Sequence, residues 1–516
     1  VIDEVHELLS SERGSQLSLS IERLELNSKF PLTKVGLSAT VGNFDEAGKF
    51  VVGTKRKCEI IRDTSVRKYD VEIKYVDGTI SDVGEKTIEH VLELNLDSPI
   101  LLFTNTRGEA EFLASILKQK SSIPIELHHG SLSKEIREET ELTLREGKRG
   151  IVVCTSSLEL GLDIGSVELV IHYGSPRQVS KFVQRIGRSK HNRDESAQGL
   201  IITNNPDDEF EAQAILDRIQ EGSIEEQKIH DGSLDVLAHH LVGLSIQIGE
   251  IEVEQAFELV TKAYPFRNLK IKDLIDVLDL LDSNYLIFFD RTKMTYWKKG
   301  GSFKYYFENL STIPDILKFK VFDSVGKKII GSLDQRFVGD FGDSGNIFVL
   351  KGSQWRILNV DEKSFSVNVE PFRGGGITVP YWEGESIPID YNTARKVGNF
   401  RSRVKNGSLK LINQTIEKLP FDVIPNEDTI VIESCRSQGA IVIHSCFGTK
   451  INSTLSTLLS SMLSSILGFL VDSRSDGYRI VLSSSSRISE KLFFEVLKDD
   501  YDLYSMVTAS LKGTHN

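Results

Sequence analysis

Asp3 and Glu4 follow the β-branched pair Val1-Ile2 and precede Val5-His6. A carboxylate at a strand end can hold Mg²⁺ through water, and its neighbour can orient or deprotonate an attacking water. Alone, such a pair reads as an exposed acidic turn and gains meaning only from its company. Ser38-Ala39-Thr40 ends a second apolar run, KVGLSAT. In LLFTNTRGEAE, Thr104, Asn105, Thr106 and Arg107 lie where a strand gives way to a helix. Hydroxyls, an amide and an Arg at that place suit a phosphodiester backbone. His128 and His129 open HHGSLS, with no further ligands at metal spacing, so backbone contact or packing is the favoured reading. In VVCTSSLELGLDIGSVELVI, Thr155 and Ser156 end a strand. Gly161 permits close backbone approach, and Asp163 can accept hydrogen bonds from a ribose hydroxyl.

The densest charge is basic. Arg177, Lys181, Arg185 and Arg188 recur at spacings of 4, 4 and 3, one helix face, and residues 177–193 hold six Lys or Arg and no carboxylate. A solvated face is the bland reading. The sharper one is that Gln184-Arg185 and Gly187-Arg188 present two guanidiniums to a triphosphate, whose charge the Arg fork neutralises.

These residues need elements to position them. Residues 34–62 read as strand, loop, helix, strand (KVGLSAT, GNFDEAGKFV, CEII). From Pro99 to Thr203 the apolar runs ILLF, GIVVC, ELVIHY and GLIIT alternate with helical stretches. That alternation specifies a parallel sheet covered by helices, with ligands beyond the carboxyl ends of its strands. Three helical stretches over 233–281, then YLIFFDRTKMTYWKK as two strands, predict a winged helix over about 230–310. Residues 311–397, rich in short strands and glycine, predict a small barrel or twisted sheet. TIVIES, GAIVIHS and YRIVLSS predict strands beyond residue 413. Ile451 to Val471 carries no charge, yet its leucines share one helix face with serines opposite, so an amphipathic helix against a core is expected rather than a membrane span.

The 516 residues, 40% hydrophobic and 26% charged, are ordinary globular composition and length for several domains. A net charge of −12 means that any nucleic-acid partner must meet a local basic patch. Four cysteines without a C-x-x-C pair argue against structural zinc or iron–sulfur sites and fit a reducing cytosol.

Taken together and in order, Asp3-Glu4-Val5-His6, Ser38-Ala39-Thr40, FTNTR, TSSLELGLDIG and QRIGR resemble the motifs of superfamily-two helicases. The chain is more closely similar to the large helicase-related (Lhr) family, at DEVHELLSSERGSQLSLSIERL, SSLELGLDIGSVELVIHYGSPRQVSKFVQRIGRS and LDVLAHHLVGL. The likeness continues through YYFENLSTIPD, KKIIGSLDQRFV, FVLKGSQWRI, VPYWEGE and IHSCFGTKIN, nearly the whole chain. It implies an α/β fold: RecA-like helicase lobes, the first incomplete, then a winged helix and a β-rich, α+β C-terminal region. The expected divisions are 1–62 for the remnant of the first lobe, 63–224 for the second lobe and 225–310 for the winged helix. A β-rich domain over 311–412 and an α+β domain over 413–516 complete them.

The resemblance also implies roles. Asp3 would hold the Mg²⁺ of ATP through water, with Glu4 beside it activating the attacking water. His6 would link that site to Ser38, Ala39 and Thr40, which couple hydrolysis to movement. Gly161 and Asp163 would lie on the nucleotide side, and Arg185 and Arg188, with Gln184 beside them, would be arginine fingers. Thr104, Arg107, His129 and Thr155 would meet one strand's phosphates. ATP would lie between the lobes, whose closing and opening ratchets them along that strand. The implied activity is ATP-dependent 3′ to 5′ translocation on single-stranded DNA and unwinding of DNA or RNA–DNA duplexes, in repair or recombination. Trp297, Trp355 and Trp382 are candidate stacking platforms, with core packing the commoner role. The implied setting is the cytoplasm of a prokaryote, archaeal and nucleoid-associated, with no membrane; the oligomeric state is open.

The family's phosphate loop of glycines, Lys and Ser/Thr should precede Asp3 and is not in this chain. The arginine-rich stretch that follows in the family is not present after VTASLKGTHN either. A partial chain is therefore expected, its first lobe poorly supported and inactive alone. Two alternatives stay open: a nucleic-acid-binding or adaptor fragment without catalysis, and an RNA-directed helicase of the same superfamily.

Overall fold

The computed structural model describes residues 1–63, 68–94, 96–159, 164–165, 167–189, 196–311, 317–374, 379–380, 387–405, 423–435, 439–484, 488–498, 502 and 504–508. The chain forms two compact units, one of residues 1–66 with 224–316, the other of 67–223 with 317–516.

The second unit is built on a six-stranded sheet. Its strands are β1 (Tyr69–Tyr75), β2 (Pro99–Phe103), β3 (Ile125–His128), β4 (Gly150–Cys154), β5 (Leu169–Tyr173) and β6 (Ala197–Thr203). Their order is β1-β6-β5-β2-β4-β3, and every pairing is parallel. The central strands are continuous apolar runs because both faces are covered. Ile100 and Leu102 pack with Leu113, Leu117, Ile151 and Val153 on one side. Leu101 and Phe103 pack with Leu144, Val152 and Leu158 on the other. The four apolar runs of the sequence are β2, β4, β5 and β6. The edge strands went unforeseen: β1 alternates polar and apolar residues, and β3 has only four residues.

In the first unit, helices Leu234–Ile248, Val253–Val260 and Ile271–Ser283 pack on a small sheet. That sheet joins β7 (Ile251–Glu252), β8 (Ile287–Asp290) and β9 (Thr295–Lys298) in the order β7-β9-β8. This is the winged helix the sequence foresaw. Leu274, Val277, Leu278 and Leu281 are buried on the third helix, the 3- and 4-residue steps of one face.

The segment expected to be poorly supported is covered by this winged helix. Leu19 of helix Glu12–Leu26 joins its core. Arg23 donates to Gln247 Oε1 at 3.2 Å and to Tyr306 Oη at 3.2 Å. Gly243 permits the approach, since a Cβ there would lie 2.5 Å from both the Arg23 guanidinium and the Tyr306 ring. The expected strands at 34–40 and 58–61 do not form. A single parallel bridge joins Ile2 to Gly36, and Cys58–Ile61 carries no regular secondary structure. A strand needs a neighbour to take its amides.

Back in the second unit, β10 (Lys318–Asp323), β11 (Lys328–Asp334), β12 (Ile347–Leu350), β13 (Ser353–Asp361) and β14 (Ser366–Pro371) form an open sheet. The order is β11-β10-β14-β13-β12, a twisted sheet rather than a closed barrel. Trp355 is core, its Nε1 donating to Leu350 O at 2.7 Å. The sheet's apolar side merges with the helix-covered face of the parallel sheet. Buried Glu111 joins them further, accepting from the amides of Lys351 at 2.8 Å and Gly352 at 2.6 Å.

The C-terminal sheet joins β15 (Val431–Cys435), β16 (Ala440–His444), β17 (Asp472–Ser475) and β18 (Arg479–Ser483) in the order β15-β16-β18-β17, all antiparallel. Helix Thr449–Leu467 packs on it through Leu458, Leu459, Met462 and Leu463. The helix stops at Gly468, left-handed at φ 72°, so Leu470 lies beyond it and is exposed, as is Ile466. Ser456 is buried, although the leucine–serine alternation places it opposite the leucines. No helix among the described residues is long and apolar enough to cross a membrane. Leu463→Ala should cost about 2–5 kcal/mol, read as lost hydrogen-exchange protection in β16. Ile466→Ala should cost below about 1 kcal/mol.

Candidate functional site

In the first unit, backbone bonds align residues 1–5 with 35–38. Ile2 N donates to Val35 O at 2.7 Å, Leu37 N to Ile2 O at 2.8 Å and Val5 N to Leu37 O at 3.1 Å. That pairing sets the acidic pair beside the Ser-Ala-Thr segment. Asp3 is exposed, and its Oδ1 accepts from Glu4 N at 2.9 Å. Glu4 sits at φ +48°, a left-handed conformation uncommon outside glycine, Asn and Asp. His6 is buried, with Nδ1 2.7 Å from Ser38 Oγ and 3.4 Å from Glu4 Oε2. One imidazole thus touches both motifs. Ala39 is exposed and Thr40 buried.

In the second unit, the sequence-predicted residues gather at the carboxyl ends of the parallel strands. Thr106 caps helix Arg107–Lys120, accepting from Glu109 N at 3.1 Å, while Glu109 Oε2 accepts from Thr106 N at 3.0 Å. Buried Thr104 donates to Thr106 O at 2.8 Å. Arg107 donates to Ser131 Oγ at 2.7 Å. Beneath it His129 is fully buried, Nε2 donating to Glu111 Oε1 at 2.9 Å and Nδ1 accepting from Ser131 N at 3.3 Å. The His129 ring therefore holds the loop rather than facing solvent. Thr155 is also buried. The loop is held on its far side by β11: Ser332 N donates to Ser131 O at 2.8 Å, and Gly331 is required because a Cβ would lie 2.6 Å from that carbonyl.

The basic helix face is not a bare one. Arg177 lies ahead of helix Val179–Ile186, at φ +67°, and its Nη1 meets Asp208 at 3.1 Å and Glu211 at 3.2 Å. Burial pushes the Asp208 and Glu211 carboxyls up against the pull of Arg177. Lys181, Arg185 and Arg188 converge instead on Glu159, a residue the sequence reading passed over. Lys181 Nζ lies 3.1 Å from Glu159 Oε2, and Arg185 Nε donates to Oε1 at 2.7 Å. Arg188 Nη2 donates to the Glu159 carbonyl at 2.7 Å.

Arg185 is 1% exposed, with Asn105 Oδ1 3.2 Å from Nη1 and the Phe103 ring centroid 5.4 Å away. Its Nη1 also donates to His172 Nε2, while His172 Nδ1 donates to Gly174 O at 2.9 Å. Arg188 is half-buried. Gln184 stands on the same helix. Gly161, Asp163 and Trp382 lie outside the described residues. Trp297 is partly exposed and stacked on Phe288, centroids 5.5 Å apart. No group of three His, Cys, Asp or Glu suited to a metal ion occurs among the described residues.

Residues 83–192 match the helicase conserved C-terminal domain, 217–374 the winged helix domain of large helicase-related proteins, and 424–516 a DEAD/H associated domain. The chain is 30% identical to the ATP-dependent helicase Lhr-Core protein 2 of Thermococcus barophilus, over 95% of this chain and 62% of that protein. It is 33% identical to the ATP-dependent helicase Lhr-Core of Methanocaldococcus jannaschii, over 88% and 57%. The chain thus spans about three fifths of the length of these relatives. Among solved structures, it resembles Mycobacterium smegmatis helicase Lhr bound to ssDNA and AMP-PNP, with a TM-score of 0.73 and 25% identity over 99% of this chain and 66% of that one.

Burial and the Arg185 guanidinium push the His172 imidazole well below its ordinary 6.5. As pH falls through 6.5, the unfolded chain binds a proton that the native state refuses. The term is absent above 6.5 and removes up to about 1.4 kcal/mol per pH unit below it. Urea unfolding between pH 7.5 and 5.5 should show His172→Gln with a shallower loss of stability than the parent.

Proposed function

Because this chain belongs to the large helicase-related (Lhr) family of superfamily-two helicases, we propose that it is part of an ATP-dependent 3′ to 5′ DNA translocase. The enzyme unwinds DNA and RNA–DNA duplexes in repair or recombination. The observation that carries the reading is the 2.7 Å approach of His6 to Ser38, on a ring that also meets Glu4. A buried imidazole touching Glu4 and a hydroxyl-bearing loop can pass a change at one to the other.

Mg²⁺-bound ATP supplies the phosphoanhydride and part of its charge compensation. Asp3, exposed at the end of its segment, would hold the ion. Glu4 accepts the proton of the attacking water, its backbone already in an uncommon conformation. Ser38, Ala39 and Thr40 carry the response onward. On the second unit, half-buried Arg188 is the guanidinium offered to the phosphoryl group. Arg185 braces it through their shared partner Glu159, with Gln184 beside them. Gly161 and Asp163 take the nucleotide side. Arg107 meets the strand's phosphates directly, whereas Thr104, His129 and Thr155 shape the loops that do so.

In the complete protein, Glu4→Gln should lower ATP hydrolysis by about 100-fold or more while nucleotide binding persists. Ser38→Ala should keep hydrolysis within about threefold and lower strand displacement by about tenfold or more, since it cuts the link rather than the chemistry. A malachite-green phosphate assay and a fluorescent strand-displacement assay separate the two.

A further inference from the structure

The winged helix of the first unit carries charge opposite to what a nucleic-acid reader needs. In a helix-turn-helix, the second helix enters the major groove among phosphates. Here helix Ile271–Ser283 bears Asp273, Asp276, Asp279 and Asp282, one every three residues, against the single cation Lys272. Asp279 pairs with Arg291, and Asp282 with Lys299 at 2.7 Å. Beside this helix runs an open groove of about 660 Å³. Ala238, Val277, Leu281 and Leu286 give it an apolar floor, and Leu280 on its wall is 59% exposed. Three carboxylates, Asp235, Asp273 and Asp276, line it, and no Lys or Arg does. Asp235 and Asp276 are exposed and have no ion-pair partner among the described residues.

We propose that this groove docks a basic amphipathic helix of a partner protein, with apolar side chains on the floor and Lys or Arg facing Asp235 and Asp276. Apolar anchors at helical spacing are the usual reading mode of such grooves, and unpaired carboxylates at the rim select a cationic flank. The 13-residue helix beside the groove is about 20 Å long, which matches a partner helix of about 14 residues. DNA is the disfavoured occupant, because its phosphates would face the same carboxylates. The inference is independent of the chemistry proposed above.

The test uses the full chain and a fluorescein-labelled 14-residue Leu/Lys peptide, with leucines spaced for one helical face, followed by fluorescence anisotropy. Controls are a scrambled peptide of the same composition, a Leu/Glu peptide of the same pattern and a single-stranded DNA oligonucleotide. Leu280→Lys and Asp276→Lys both alter exposed side chains, so each should keep the parent's melting temperature. The proposal expects each substitution to weaken the Leu/Lys peptide by about tenfold or more. It also expects the scrambled and acidic peptides to bind at least about tenfold more weakly than the patterned basic one. Equal binding to parent and variants, equal binding of the scrambled peptide, no binding at all, or displacement of the peptide by the oligonucleotide would each overturn it.

Discussion

The arrangement in the second unit depends on one buried charge, the carboxylate of Glu159. Its side-chain oxygens hold Lys181 and Arg185, and its carbonyl holds Arg188. Removing a buried carboxylate would leave Arg185, 1% exposed, without its counter-charge, and that costs far more than losing a surface pair. The residue that fixes the guanidiniums lies five positions beyond the end of β4, so the basic helix is set against that strand end.

The same device recurs throughout that unit. Glu111 ties His129 to the amides of the β12–β13 turn, and Glu211 ties Arg177 to Tyr478, whose hydroxyl donates to it at 2.7 Å. Asp207 accepts from Arg401 at 2.6 Å; burial raises its carboxyl, but Arg401 and Arg479 outweigh that and hold it low. Glu111 stands on helix Arg107–Lys120, and Asp207 and Glu211 on helix Pro206–Gln220, and each reaches a cation, amide or hydroxyl elsewhere in the unit. The loops at the strand ends are consequently fixed from behind.

What the sequence made legible follows physical lines. β2, β4, β5 and β6 are buried on both faces, so their apolar runs announce them. β1, at the sheet edge, alternates and hides. CEII looks like a strand because of its β-branched residues but finds no ladder partner. The winged helix shows through its 3- and 4-residue periodicity. The arginine spacing was legible too, but its partners were not: Glu159 and Glu211 lie 26 and 34 positions from the guanidiniums they bind. His129 illustrates the limit. A histidine pair after a strand reads as contact surface or packing with equal sequence support, and only the fold places Glu111 under it. Asp3, Glu4 and His6 became interpretable because the Ser38 partner was legible as a motif.

The strand-end residues are proposed to serve a nucleotide-driven motor gated by nucleic acid. The most direct measurement is the steady-state ATP hydrolysis rate of the complete protein with and without a single-stranded DNA oligonucleotide. Stimulation of about tenfold or more by the single strand is expected; an equal rate in its presence and absence would rule such a motor out.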